Sequence, residues 1–286
     1  MSKPVSHFDE RLNTLVRAAM AEDIGEGDHS TLAVIPADIC GKAILKIKQD
    51  GILAGVEIAK KIFHIIEPGA VFHLHKKDGD AMLAGDTAFT IEASVYTILA
   101  CERIVLNCMQ RMSGIATLTH QYVEKISGYS SKILDTRKTT PGFRLLEKEA
   151  VRIGGGLNHR FGLFDMIMLK DNHIDYCGGI GKALDNAHEY AQRYNPALKI
   201  EIEARSLKNV LEVLASGKAD RIMLDNFNPL LLGEALQLIQ KKIETEASGG
   251  INLENIRAFA ATGVDYISIG ALIHQAQSLD LSLKAI

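Results

Sequence analysis

Apolar residues in FDERLNTLVRAAMAE, positions 8–22, fall at Phe8, Leu12, Leu15, Val16 and Ala19, the three-to-four spacing of one helical face. From about 41 to 93 the rhythm shortens to strand-like alternation punctuated by glycine, in KAILKIKQDGILAG and AVFHLHKKDGDAMLAGDTAFTIEA. KKDGD, lying between two alternating stretches, predicts a hairpin turn. Helical spacing returns over 95–112, VYTILACERIVLNCMQRM, with Ile98, Leu99, Val105, Leu106 and Met109 as the buried stripe. Arg103, Asn107 and Arg111 stand four apart and share another face, which by itself reads as solvated.

Beyond residue 130 short apolar runs alternate with amphipathic ones. Six strands are predicted: KILDT (132–136), FDMIML (164–169), LKIEIE (198–203), DRIML (220–224), KIETEA (242–247) and VDYISI (264–269). Between them LLEKEAVRI, IGKALDNAHEYAQRY, SLKNVLEVLASG, PLLLGEALQLIQK and LENIRAFAATG have helical periodicity. Parallel strands need such crossovers, so the pattern fits an α/β barrel or a doubly wound sheet. No low-complexity linker divides this region from the β-rich part before it.

Composition narrows the function. The 286 residues carry a formal net charge of -3 and are 47% hydrophobic, enough for a large core but too acidic for a general nucleic-acid surface. Basic clusters therefore imply a local anion. The opening MSKPVSHFDE lacks the apolar stretch of a signal peptide, and no run approaches the ~18 apolar residues of a membrane span. Cys40, Cys101, Cys108 and Cys177 form no C-x-x-C pair, so reduced thiols and a cytoplasmic setting are expected.

Each predicted barrel strand ends on polar or glycine chemistry. Arg137 and Lys138 follow the first, Lys170 the second; the third ends on Glu203 and the fourth precedes Asp225. The fifth runs into Ser248-Gly249-Gly250 and the sixth into Gly270. In a parallel barrel these ends share one face, where barrel enzymes hold their sites. SGGI, opening the last helix, offers backbone N–H groups to a phosphate, and IGAL would complete that cradle. Glu203 and Asp225 suit Mg²⁺ or ribose hydroxyls, although Glu203 equally suits a buried partner for a lysine. His159 and Arg160 arrive just before the second strand. His73 and His75 share a strand face but have no third ligand that would make a metal site. Four formal cations and one titratable histidine against two carboxylates call for a highly anionic substrate pair.

DTRKTTPGFR, GGGLNHRFGLFDMIMLKDNHI, MLDNF and SGGI closely resemble the quinolinate phosphoribosyltransferase family, as do LVRAAMAEDIGEGDHST and CERIVLNCMQRMSGIAT. The resemblance runs from about residue 12 to 275. It implies an incomplete parallel α/β barrel of about six strands with a β-rich α+β N-terminal domain. The corresponding division is 1–114, 115–270 and a tail, 271–286, packing back on the N-terminal domain. It also implies transfer of phosphoribose from phosphoribosyl pyrophosphate to quinolinate with Mg²⁺, yielding nicotinate mononucleotide, pyrophosphate and CO₂ for NAD biosynthesis. On matching positions it implies Lys138, Lys170, Glu203 and Asp225 as catalytic, and Arg137, His159, Arg160 and Lys170 around quinolinate. Arg103 would reach the site of the opposite subunit in a homodimer or a larger assembly. Thr136, Lys138, Glu203, Asp225, Ser248, Gly249, Gly250 and Gly270 would hold the phosphoribosyl group. Mg²⁺ would be held through the pyrophosphate, with Glu203 and Asp225 as candidate protein ligands. The partners are thus small anions, with no nucleic acid and no membrane.

Four alternatives use the same residues. Lys170 could be a Schiff-base lysine of an aldolase-like lyase, which leaves the SGG loop and both carboxylates underused. A barrel that only binds a metabolite would bind without releasing pyrophosphate. A nicotinate-using transferase would meet fewer anions than the cations provide for, and a related family associated with molybdate transport genes shares many of these motifs.

Overall fold

The computed structural model describes residues 7–286. The reading of the first ten residues as free of a signal peptide falls mostly on 1–6, outside the described residues. In chain order the elements begin with α1 (His7–Ile24), α2 (His29–Val34), β1 (Cys40–Ile47), β2 (Gly51–Ile52) and α3 (Val56–Ile66). β3 (Val71–Leu74), β4 (Ala81–Met82), β5 (Thr87–Ser94), α4 (Val95–Lys125), β6 (Lys132–Leu134) and α5 (Arg144–Ile153) follow. Next come β7 (Ile167–Leu169), α6 (Asp171–Cys177), α7 (Ile180–Tyr194), β8 (Ile200–Ala204), α8 (Leu207–Ser216) and β9 (Arg221–Asp225). The chain closes with α9 (Pro229–Ile239), β10 (Glu244–Ser248), α10 (Ile256–Ala260), β11 (Tyr266–Ser268), α11 (Ala271–His274) and β12 (Leu281–Ala285).

Two compact units result. The first gathers residues up to His120 with Thr139–Gly155 and Leu272–Ile286; the second holds Gln121–Lys138 and Gly156–Ala271.

The first unit is built on an antiparallel sheet in the order β12-β1-β5-β3. Alternation in β1 and β5 sends Leu45, Ile47, Phe89 and Ile91 into the core, where Phe89 stacks 4.3 Å from Phe72 and meets Phe63 edge-on at 6.4 Å. α1 buries Leu12, Val16 and Met20, a narrower stripe than the predicted face. Three expectations are corrected. Residues 56–66 form a helix inside the stretch read as strands; Val56, Ala59, Ile62 and Phe63 keep helical spacing, masked by an almost unbroken apolar run. KKDGD makes a turn but no hairpin, because β3 pairs with β5 while β4 pairs with β2. α4 continues to Lys125, well past 112, and Leu99 of its predicted buried stripe is 38% exposed. Gly114 lies inside α4 because any Cβ there would collide with the Gln277 carbonyl, so the C-terminal segment can cross in contact.

On the same helix Arg103 and Asn107 are exposed, whereas Arg111 is structural. Its guanidinium donates to Glu147 Oε1 at 3.1 and 3.0 Å and to the Ile273 and Ala276 carbonyls at 2.7 Å. Fully buried Glu147 also accepts from the Thr140 amide and hydroxyl at 2.8 and 2.9 Å. His73 and His75 bond Glu92 and Thr90 of the neighbouring strand, at 3.2 and 2.9 Å.

The second unit is a six-stranded, all-parallel sheet in the order β6-β11-β10-β9-β8-β7, an open barrel with helices outside it. All six predicted strands are present. Ile200 and Ile202, Ile222 and Leu224, and Ile267 are all but inaccessible, as strands need when helices cover them. The other face of the sheet carries Glu201, Glu203, Arg221, Asp225 and Glu246.

Candidate active site

Two layers of polar side chains line the strands of the second unit. Glu201 and Glu203 in IEIEA and Glu244 and Glu246 in ETEAS stand two apart, Arg221 and Asp225 in RIMLD four apart, and even spacing puts each set on one face. Their mutual contacts show that this face is the barrel interior.

The upper layer lies at the carboxyl ends of the strands. Lys170 Nζ donates to Glu203 Oε1 at 2.6 Å, and the Asp171 amide donates to Glu203 Oε2 at 3.0 Å. Glu203 is 7% exposed, so the reading of it as a lysine's buried partner and the reading as a site carboxylate hold together. Asp225 ends β9 beside this pair. Burial, and then the negative charge of Glu203, push its pKa above the usual carboxylate range. Asn226, in a left-handed conformation at φ 57°, donates through Nδ2 to Asp225 Oδ2 at 2.7 Å and through its amide to the Ser248 carbonyl at 2.8 Å. It ties the β9 end to the SGG loop, and its side chain occupies the space a Cβ on Gly249 would need. Gly249 and Gly250 both have positive φ, 96° and 64°. SGGI does not open a helix as predicted, because α10 starts only at Ile256; its exposed amides belong to a glycine turn.

On the β6 side Thr136 Oγ1 accepts from the Lys138 amide at 3.1 Å, turning the chain after the strand. Arg137 lies close enough to Arg160 to depress its pKa, after the larger effect of burial. Two guanidiniums placed together make a site for anions. Arg144 bonds Thr139 Oγ1 at 2.9 Å within the first unit.

The lower layer was not foreseen. His159 Nε2 faces Glu201 Oε2 at 3.0 Å and Glu246 Oε2 at 3.4 Å, with the imidazole 5% exposed and both acids fully buried. Arg221 reaches the same carboxylates at 3.7 and 3.3 Å. Burial pulls the His159 pKa down, but the hydrogen bonds and charges of Glu201 and Glu246 outweigh it and hold it up at about 9. Nδ1 lies 2.7 Å from the Arg160 amide, a position that suits the neutral ring with its proton on Nε2. With two carboxylates against one guanidinium, the charges decide for the cation at neutral pH. His159, Glu201 and Glu246 are the one group of three potential metal-ligand residues among the described residues. Arg221 and the His159 imidazolium together offset the two carboxylates, so the cluster is already balanced without a metal.

Mg²⁺ suits the upper layer instead: Glu203 and Asp225 are hard oxygen donors, side by side and mutually repelling. Among the sequence-predicted residues, Thr136, Arg137, Lys138, His159, Arg160, Lys170, Glu203, Asp225, Ser248, Gly249, Gly250 and Gly270 all belong to this unit. Contacts or charge coupling join Lys170, Glu203 and Asp225, and also Arg137 and Arg160; the topology puts Thr136, Lys138, Ser248, Gly249, Gly250 and Gly270 at the same strand ends, whereas the His159 ring lies in the lower layer. Arg103 lies in the first unit, exposed on α4. The residues missed were Asn226 and the Glu201–Arg221–Glu246 layer. Acids at every second position of otherwise apolar strands were their signal.

Residues 28–113 match the N-terminal domain of the quinolinate phosphoribosyl transferase family and residues 115–284 its C-terminal domain. A probable nicotinate-nucleotide pyrophosphorylase (carboxylating) from Bacillus subtilis is 44% identical over 96% of this chain and 93% of its own. A mitochondrial quinolinate phosphoribosyltransferase (decarboxylating) from Nicotiana tabacum is 43% identical over 99% of this chain and 84% of its own. The crystal structure of NadC from Streptococcus pyogenes superposes with a TM-score of 0.90 at 40% identity, covering both chains completely. Human nicotinic acid phosphoribosyltransferase, at 12% identity and a TM-score of 0.62 over 95% of this chain and 74% of its own, shares the fold alone.

Proposed function

The chain belongs to the quinolinate phosphoribosyltransferase family, and from that premise we propose how its residues divide the work. The enzyme transfers phosphoribose from phosphoribosyl pyrophosphate to quinolinate with loss of CO₂, making nicotinate mononucleotide for NAD biosynthesis. The observation that carries the residue assignment is the split of the rim: paired guanidiniums on the β6 side, a lysine–carboxylate cluster over β7–β9, and a glycine turn at β10.

Arg137 and Arg160 hold the carboxylate that is retained, by bidentate hydrogen bonds, and His159 fixes the segment that presents Arg160. Lys170 turns from Glu203 to the substrate anions as they enter. Lys138 meets the pyrophosphate, while Glu203 and Asp225 take the ribose hydroxyls and would hold Mg²⁺. When bound, Mg²⁺ neutralises charge on the departing pyrophosphate. Thr136, Ser248, Gly249, Gly250 and Gly270 receive the 5′-phosphate on backbone amides, and the positive φ of Gly249 and Gly250 shapes the turn that lets it approach.

These placements order the chemistry. As the bond to pyrophosphate stretches, positive charge develops at the ribose carbon beside Asp225 and Glu203, and the cations of Lys138 and Lys170 stabilise the leaving group. The ring nitrogen of quinolinate bonds to that carbon. As CO₂ leaves, the electron pair of the breaking carbon–carboxylate bond stays on the ring carbon, stabilised by the adjacent pyridinium nitrogen, and takes up a proton from solvent.

Arg103 would complete the site of a second subunit in a homodimer; its exposure beside the exposed Leu99, four residues earlier on α4, supports a contact face there. We keep 1–114, 115–270 and 271–286 as the proposed domain division. No described helix is long and apolar enough to cross a membrane; the proposed setting is cytoplasmic. Binding measurements test the split: Arg160→Ala should weaken quinolinate and spare phosphoribosyl pyrophosphate, and Asp225→Ala should do the reverse. Equal losses in both variants would reject it. Mixing Arg103→Ala with Lys170→Ala subunits should restore activity in hybrids, and no recovery after proven exchange would reject the shared site.

A further inference from the structure

Most of the rim is tied to a strand end, but one segment is not. Residues 156–166 approach β7 with no regular structure beyond the bridge between Leu157 and Leu134, yet they carry Arg160. Arg137 and Arg160 repel each other, so their closeness has to be imposed from outside the pair.

Residue 159 is pinned twice. Its amide donates to buried Asp135 Oδ1 at 2.8 Å, and its ring faces Glu201 and Glu246 at 3.0 and 3.4 Å. Beneath them Arg221 Nη1 lies 3.3 Å from Glu246, its Nη2 holds Glu244 at 3.0 Å, and its guanidinium covers the Tyr266 ring at 4.1 Å. The column therefore runs from the amino ends of β9 and β10 up to the residue that precedes Arg160.

As a stability device this column is poor. Two carboxylates, a guanidinium and an imidazole are withdrawn from water, and Glu201 Oε1 and Glu246 Oε1 find no hydrogen-bond partner. Apolar residues of similar volume often serve a protein's stability as well or better. Its benefit lies in geometry: charge-assisted bonds to a ring hold it in one orientation. Glu201 stands two residues before Glu203, and Glu246 two before Ser248, so neither is at the rim itself.

We infer that Arg221, Glu201 and Glu246 are positioning residues that, through His159, set where Arg160 meets a carboxylate of quinolinate. The inference rests on the quinolinate role proposed for Arg160. Steady-state kinetics of Glu246→Gln, His159→Ala, their double variant and Arg160→Ala test it, with thermal melts as a check on folding. Glu246→Gln should raise KM for quinolinate about tenfold, the scale of coupling within one hydrogen-bonded network, and leave KM for phosphoribosyl pyrophosphate within about twofold. In the His159→Ala background the same change should add nothing further. A parallel rise in both KM values, additive effects, or no change would overturn the inference. If Glu246→Gln does not fold, Arg221→Lys, which keeps the charge and loses the fork, carries the same expectation. If Arg160→Ala raises KM for quinolinate while Glu246→Gln does not, only the positioning role falls. If Arg160→Ala leaves it unchanged, the quinolinate role falls and takes the inference with it.

Discussion

Replacing His159 by glutamine removes a cation from between two buried carboxylates, and pH reveals what that cation contributes. The imidazole moves from 6.5 in an unfolded chain to about 9 in the fold. That difference is worth about 3 kcal/mol. Because the folded-state value is raised, the contribution is complete below 6.5 and disappears as pH climbs through about 9. Wild-type protein should therefore lose on the order of 3 kcal/mol of unfolding free energy between about pH 6 and pH 9.5. Cys101 and Cys108, both pushed up to about 12 by burial, act in the same direction once unfolded thiols ionise near 9. Glutamine stays neutral throughout and keeps a donor for one carboxylate, so the difference between wild type and His159→Gln cancels the thiols. Urea unfolding at the two pH values, read by circular dichroism, gives that difference. Parallel loss of stability in the two proteins would refute the imidazolium between Glu201 and Glu246.

Arg137→Ala should lower kcat/KM by about 10² or more, the usual loss when a charge contact to a reacting anion is removed, and near-normal turnover would reject the assignment. Gly249→Ala must displace Asn226, so phosphoribosyl pyrophosphate binding by calorimetry should weaken well beyond quinolinate binding. In the first unit, Glu147→Ala leaves Arg111 without its carboxylate in a largely buried site; a loss of about 3–5 kcal/mol in urea unfolding is expected.

The barrel half of the fold was the more legible because each of its elements keeps one period. Apart from the short α6 (Asp171–Cys177), which no periodicity marks, the strands and helices from 132 to 269 show alternation or three-four spacing, and parallel order follows from the crossovers between them. In the first unit local pattern and tertiary pairing part company. Residues 56–66 are apolar on nearly every side, so periodicity could not separate a helix from a buried strand. KKDGD has the composition of a hairpin, but pairing is decided by β5 and β2, which are distant in sequence. The rim of the site was readable as polar residues at strand ends. Its support was not: Glu201 and Glu246 matter through contacts with His159, and Arg221 through contacts with them, some 40 to 90 residues away in sequence, although IEIEA and ETEAS already showed acids turned to one face.

The central claim is that this cationic rim acts on a diacid and releases one of its carboxylates. Incubating the enzyme with Mg²⁺, phosphoribosyl pyrophosphate and quinolinate carrying ¹⁴C in the 2-carboxylate tests it directly. Labelled CO₂ and nicotinate mononucleotide should appear in equal amounts, and nicotinate in place of quinolinate should give no mononucleotide. Turnover of nicotinate, or mononucleotide that retains the label, would contradict the account.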